Sequence, residues 1–321
     1  MAFFLVTGGC GFIGSHLVDA LVSGGHRVRV LDDLSTGDPA YLPSSATLVV
    51  GDVRDPDIVG RALDGVDGCF HLAAVVAVAR CENQWHDAHQ VNLTCALTVF
   101  RQATGGHEPI PVVYASSAAV YGDAREIPVR EEMPVQPINA YGADKAACEL
   151  HAGAIARATG ASLTGLRFFN VYGPRQDPGS IYSGVVSIFR ERLMKGEPVD
   201  IHGDGSQTRD FIHVSDVVQA LLSAMQTAPD GGRVYNICTG KALSISALAK
   251  SVAMLCGTRL EMRFLPARAG DIRHSLGDPS RAAAELNFRA QVSVTAGLGE
   301  LIALLGASGD SGTQPAKIAA G

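Results

Sequence analysis

Apolar runs and amphipathic stretches alternate through the first half of the chain. The run FFLVTG is short and continuous, as expected of a strand covered on both faces. GSHLVDALVSGG follows, with apolar residues at helical spacing that stop at Gly24 and Gly25. RVRVLD, ATLVVGD, VDGCFHLAA and IPVVYASS predict four further strands, with a helix over about 88–103 before the last. A helix over about 143–159 leads into SLTGLRFFN. Strand–helix units repeated in this way predict an α/β fold built on a doubly wound parallel sheet.

After Pro174 the texture changes. GPRQDPGSIYSG reads as a long polar loop, a helix near 185–195 follows, and short strands, loops and helices then make a smaller mixed α/β lobe. The pattern divides the chain into a first domain over 1–174, a lobe over 175–306 and a flexible tail over 307–321. Part of 210–240 is expected to return to the first domain.

Composition narrows the class. Of 321 residues only 6% are aromatic while 36 are glycine, which suits helices packed closely on a sheet. A net charge of −6 with no basic tract argues against nucleic acid as a partner. No run approaches the length of a membrane span and no signal-peptide pattern opens the chain, so a soluble cytoplasmic protein is expected. The seven scattered cysteines form no CxxC pair and read as reduced thiols. His71, His213 and the group Cys81, His86 and His89 lack the spacing of a metal site, so none is expected.

Two groups of residues carry candidate chemistry. Gly8, Gly11 and Gly14 form a GxxGxxG between a strand and a helix. Glycine there permits a tight turn and lets a pyrophosphate approach the free N–H groups of the helix N-terminus. The second strand ends at Asp32, where a carboxylate can bond the adenosine ribose and repel a 2′-phosphate. NAD is therefore expected rather than NADP. Asp52 and Val53, closing the third strand, would flank the adenine.

In the second group, Tyr141 and Lys145 stand four residues apart on one predicted helical face. Ser116 and Ser117 close a strand at the sheet edge where open parallel sheets bind ligands. A phenol with an ordinary pKa of about 10 is a poor base at neutral pH. A neighbouring ammonium and a cationic nicotinamide ring would favour its phenolate, while the serine orients the substrate oxygen.

Together these motifs resemble the extended short-chain dehydrogenase/reductase family, in its nucleotide-sugar epimerase/dehydratase branch. VTGGCGFIGSHL, LDDLSTG, GDVRD, FHLAA, VNLTCALTVF, YASSAAVYG, YGADKAACE, RFFNVYGPRQDP, GDGSQTRDFIHVSD and GDIRHSLGD carry the resemblance over nearly the whole chain. It implies a Rossmann-like domain whose NAD is lined by Gly8, Gly11, Phe12, Ile13, Gly14, Asp32, Asp52, Val53, Leu72, Ala73, Ala74, Asn92, Tyr141 and Lys145. Ser117, Tyr141 and Lys145 would be catalytic. Asn170, Arg209, Arg273 and Asp278 would hold the nucleotide sugar, a role for which arginine forks suit a diphosphate. Asn92 also admits a purely structural role.

Departures within the branch refine the expectation. The sugar 4,6-dehydratases carry an Asp-Glu pair where this chain has Ala118 and Ala119, and methyl groups cannot pass protons. The texture is most similar to the UDP-hexose 4-epimerases, which implies inversion at the sugar 4-carbon through a keto intermediate. Where the family has a bulky tyrosine beside the hexose, this chain has Ser275, so N-acetylated sugars are expected to fit alongside UDP-glucose. The loop near DPGSIYSG would help to close over the substrate. The helices over 88–103 and 143–159 resemble those that pair subunits as a homodimer through a four-helix bundle. Epimerisation of UDP-glucuronate and a catalytically silent NAD-binding regulator are the alternatives; the intact Ser117, Tyr141 and Lys145 weigh against the second.

Overall fold

A computed structural model describes residues 1–76, 78–106, 108–176, 185–267 and 272–309. The first half runs β1 (Phe3–Thr7), α1 (Phe12–Ser23), β2 (Arg27–Asp32), β3 (Thr47–Val50), α2 (Pro56–Leu63), β4 (Gly68–His71), α3 (Val78–Asn83) and α4 (Trp85–His89). A π-helical stretch over Gln90–Thr94 then leads to α5 (Cys95–Thr104), β5 (Val112–Ser117), α6 (Ala140–Thr159) and β6 (Leu163–Phe168). The second half holds β7 (Asn170–Tyr172), α7 (Val185–Met194), β8 (Val199–His202), β9 (Thr208–His213), α8 (Val214–Thr227) and β10 (Gly232–Ile237). It ends with β11 (Ala242–Ser244), α9 (Ile245–Cys256), β12 (Met262–Leu265), α10 (Ser280–Glu285) and α11 (Val294–Gly309).

Seven strands form one parallel sheet in the order β10-β6-β5-β4-β1-β2-β3. Helices cover both faces. On one side Leu17 and Leu21 of α1 meet Leu221 and Ala224 of α8; on the other Val59, Phe100 and Cys148 bring α2, α5 and α6 onto the strands. That is the doubly wound α/β architecture the periodicity predicts. Strand order reverses between β1 and β4, and the crevice beyond their C-terminal ends is where such sheets bind dinucleotides.

The lobe is mixed. β7 and β9 pair parallel, β11 joins β9 antiparallel, and β8 pairs with β12. α7, α9 and α11 close over Phe189, Phe211, Leu248 and Leu298. Between these elements, α8 and β10 run back to the large sheet, where β10 pairs with β6.

Several boundaries differ from the periodic reading, each for a local reason. α2 was not expected, yet Asp55 caps it by accepting from the N–H groups of Asp57 and Ile58, with Pro56 in its first turn. α6 begins at Ala140 because Asn139 caps Gly142 N at 2.8 Å. The expected helix over 88–103 is divided by the wider turn at Gln90–Thr94. The strand expected through Asn170 breaks at Phe169, so Asn170 opens a strand of the lobe. α11 continues to Gly309, three residues into the expected tail; 310–321 lie outside the described residues, as does the stretch 177–184 where a loop was expected. Among the described residues no helix is long and apolar enough to cross a membrane.

Candidate active site

Gly8 turns the chain from β1 toward α1 at φ +70°, and a Cβ there would meet Ala73 N at 2.7 Å. A Cβ on Gly14 would run into the Gly8 carbonyl. Gly11 caps α1 without any side-chain hydrogen bond, and no acidic side chain occupies the first turn. Backbone donors here therefore face a space that only glycines leave open, at the point where the strand order reverses. Phe12 and Ile13 open the helix itself.

The end of β4 forms the opposite wall. Leu72 N donates to Thr7 O at 3.1 Å and Ala73 N to Thr7 Oγ1 at 3.2 Å, which fixes the path into Ala74. Asp32 is buried, and its two oxygens accept from Cys10 N and Leu34 N, each at 2.9 Å. Its carboxylate thus braces the glycine turn and stands where a ribose would lie. Asp52 is bonded by Arg54 Nε at 2.7 Å, and this hydrogen bond holds its carboxyl below the usual range; Val53 beside it is buried. This cradle and single carboxylate fit an NAD. Asn92 is fully buried, its amide accepting from Val75 N at 2.8 Å and donating to Val75 O at 2.9 Å. It clamps the loop after β4.

Ser117 ends β5, where its hydroxyl accepts from Ala119 N at 3.1 Å and caps a single 3₁₀ turn over Ala118–Tyr121. Tyr141 and Lys145 lie one turn apart on α6, with Lys145 Nζ 5.8 Å from the Tyr141 ring centroid. Burial pushes the Tyr141 phenol up to about 12, and a hydrogen bond with Ser117 opposes it. Burial also holds Lys145 below the usual lysine range, against the pull of Cys148 and Asp144. Among the protein's own residues burial is the larger influence on the phenol, and Ser117 supplies the opposing contact. His71 is buried behind them, bonded to Thr7 Oγ1 at 2.8 Å and kept neutral by burial and by Lys145, its pKa lowered to about 3.

A cavity of about 760 Å³ opens between the sheet edge and the lobe. Ser117, Ala118, Ala119 and Tyr141 wall its inner end, with Asn170, Arg209 and Ser275 among its other lining residues. Arg209 Nη1 also donates to the Thr208 carbonyl at 2.9 Å. The segment carrying Ser275 is pinned to Thr208: Thr208 N donates to Arg273 O, and Ser275 N to Thr208 O. This puts His274 and Ser275 on the wall and leaves Arg273 outside it, exposed and 3.2 Å from Asp204 Oδ2. Asp278 is also off the cavity. Its Oδ1 accepts from Ser280 N at 2.9 Å at the approach to α10, beside a surface recess lined by Arg130 and Arg281. Two of the expected substrate residues thus stand apart from the other four.

Some wall residues escaped the sequence reading. Arg192 of α7 reaches the cavity while pairing with Asp200 at 2.7 Å, and Asp200 is also gripped by Arg263 through both oxygens. His202 and Gln207 join them, with Gln207 Nε2 bonded to His202 O at 2.6 Å. A helix near 185–195 was expected, but nothing local marks which residues its polar side will meet. Among the described residues no three His, Cys, Asp or Glu side chains cluster as a metal site would require.

Known proteins share this fold and much of this sequence. Residues 4–238 match the model of the NAD dependent epimerase/dehydratase family. Over 304 residues the chain is 36% identical to UDP-glucose 4-epimerase of Mycolicibacterium smegmatis, covering 93% of this chain and 96% of that one. The crystal structure of UDP-glucose 4-epimerase from Thermotoga maritima with UDP-glucose superposes with a TM-score of 0.91. Identity there is 34%, over 95% of this chain and 99% of that one. UDP-N-acetylglucosamine 4-epimerase from Methanobrevibacter ruminantium, in complex with UDP-N-acetylmuramic acid, gives 0.90 at 32% identity, over 96% and 99%.

Proposed function

This chain belongs to the NAD-dependent epimerase/dehydratase family, and from that premise we propose that it is a self-contained 4-epimerase of UDP-hexoses. The observation that carries the reading is the inner end of the cavity. Ser117 and Tyr141 supply a hydroxyl and a phenol there, while the next two wall residues, Ala118 and Ala119, are methyl groups that cannot expel water. Proton transfer at one alcohol is the chemistry this set supports.

Gly8, Gly11, Gly14 and Asp32 would hold an NAD, which when bound would supply a hydride acceptor and donor for either face of the sugar 4-carbon. Tyr141 takes the proton of the 4-hydroxyl as the hydride leaves and returns it at the end. Ser117 holds the same oxygen and shares a hydrogen bond with the phenol. Arg209, with Asn170, grips the diphosphate end, a task for which a guanidinium fork is suited. A firm anchor and a roomy inner end let the keto sugar turn over between the two transfers. Ser275, being small, leaves room for an N-acetyl group, so UDP-N-acetylglucosamine is proposed as a substrate alongside UDP-glucose.

The enzyme is proposed to act in the cytoplasm as a homodimer. Leu150, 76% exposed on α6 and turned away from the protein's own core, supports pairing through α5 and α6 as a four-helix bundle. Proton NMR of the purified protein with each UDP-sugar and no added NAD tests the proposal. Galacto-configured signals should appear with UDP-glucose or UDP-N-acetylglucosamine; silence with both, even after NAD is added, would overturn it.

A further inference from the structure

Behind the inner end of the cavity lies a buried polar network that the chemistry above does not use. Glu149 stands four residues beyond Lys145 and eight beyond Tyr141, so all three share one side of α6. Its carboxylate meets Arg167 of β6 in a two-pronged pair, Nε to Oε1 at 2.9 Å and Nη2 to Oε2 at 2.7 Å. Both side chains are almost wholly excluded from solvent. Oε1 also accepts the hydroxyl of Ser116, the neighbour of Ser117, at 2.5 Å.

Arg167 extends the network the other way. Its Nη1 donates to the Tyr121 hydroxyl at 2.7 Å and to the Glu131 carbonyl at 3.2 Å, and its guanidinium lies 4.8 Å from the centre of the Tyr121 ring. Tyr121 donates in turn to Asn236 Oδ1 of β10 at 2.7 Å. Asn236 returns to the same loop, donating from Nδ2 to Val129 O and from its backbone N to Glu131 Oε1. Val129 then pairs with the segment that carries Ser275, through Leu276 O and Asp278 N. One chain of hydrogen bonds therefore joins the catalytic helix, the strand end bearing Ser117, the cavity-wall loop from Ala118 to Val129 and the wall opposite.

A buried ion pair is weak evidence of stability in itself, because desolvation offsets the attraction. It is better suited to fixing one arrangement among several, and two branches of this one reach the site, through Ser116 beside Ser117 and through Val129 of the cavity wall. Resting on the epimerase reading, we propose that Arg167, held by Glu149, is a positioning residue of the reaction. It locks α6 to the end of β5, so that Ser117 and Tyr141 meet in register, and fixes the Tyr121 loop as the wall against which the sugar turns.

Removing Arg167 outright would strand the Glu149 carboxylate in the interior and could prevent folding. Two gentler cuts test the proposal. Tyr121→Phe removes one hydroxyl and leaves the ion pair; Ser116→Ala removes the link from Glu149 to the strand, and Ser116→Thr restores it. Each deletion is expected to lower kcat about tenfold, as small misplacements of reacting groups do. KM for the UDP-sugar should stay within about twofold, since Arg209 anchors the far end of the cavity. The acid limb of the kcat profile should move to higher pH in both deletions, because a loosened Ser117 contact no longer lowers the Tyr141 phenol. Ser116→Thr should recover most of the lost rate.

Thermal unfolding is followed in parallel. A lower melting temperature with kcat and its pH profile unchanged in both deletions would assign the network to stability alone and overturn the proposal. Wild-type turnover is measured first. Failure of the wild type to interconvert any UDP-hexose would count against the epimerase reading, whereas normal wild-type turnover with unaffected variants would count against the positioning role.

Discussion

Lys145 and Tyr141 sit one helical turn apart, with the ammonium 5.8 Å from the phenol ring, and burial acts on both in opposite directions. The phenol is pushed up to about 12 and the lysine is held below its usual value. Each group is thereby kept closer to its neutral form than in water. In the proposed mechanism Tyr141 releases its proton with help from a further positive charge, which an oxidised nicotinamide would supply. Tyr141→Phe removes the phenol that shares a hydrogen bond with Ser117. It should lower kcat by about 10² to 10⁴, the usual range for losing a general acid–base group. UDP-sugar KM should change little, as steady-state kinetics would register.

Ser117 gives a second, opposite lever. Its hydrogen bond lowers the Tyr141 phenol, so deleting it raises the pKa of the group that must lose a proton. With the phenolate as the active form in the proposed mechanism, raising that pKa moves the acid limb of the kcat profile to higher pH. Ser117→Ala is therefore expected to show its largest deficit at low pH and a partial recovery as pH rises. A deficit independent of pH would mean that the serine acts only by orienting the sugar.

The glycine turn is testable without catalysis. Gly14→Ala drives a methyl group into the Gly8 carbonyl, at the helix start where the pyrophosphate would approach. The variant should purify with little or no NAD, as absorbance of the released nucleotide reports, while its circular dichroism stays close to wild type.

Ser275 lines the cavity wall, and the proposed function makes its small size the source of room for an N-acetyl group. Ser275→Tyr fills part of the roughly 760 Å³ with a ring and should reduce turnover of UDP-N-acetylglucosamine at least tenfold more than that of UDP-glucose. Equal losses on both sugars, measured as kcat/KM, would show that the N-acetyl group lies elsewhere.

Local signals made the two ends of this site legible before the fold was known. The glycine turn, Asp32 and the Tyr141–Lys145 pair are set by spacings within one strand–helix unit, and the structure keeps them at the edge of one sheet. Features fixed by contacts between distant segments were not legible. No glycine or proline marks the break at Phe169, so nothing foretold that Asn170 would begin a strand of the lobe. Asn92 reads both as a cofactor contact and as a structural residue, and its bonds to Val75, 17 residues away, could not be foreseen. Arg273 and Asp278 carry the right charges in a matching motif. Their backbone is pinned to Thr208 and Val129, and in this structure Arg273 pairs with Asp204 while Asp278 accepts from Ser280 N. Arg192 and the Glu149–Arg167 pair belong to this same class, since each partner looks like an ordinary surface charge in sequence.

The central claim is that one hydride leaves the sugar 4-carbon and returns to it within a single binding event. UDP-glucose deuterated at that carbon, incubated with the purified enzyme in ordinary water, tests it directly. The account predicts UDP-galactose that retains deuterium at the 4-carbon, with none lost to solvent and none needed from added cofactor. Product with hydrogen at that position, or label that washes out during turnover, would contradict it.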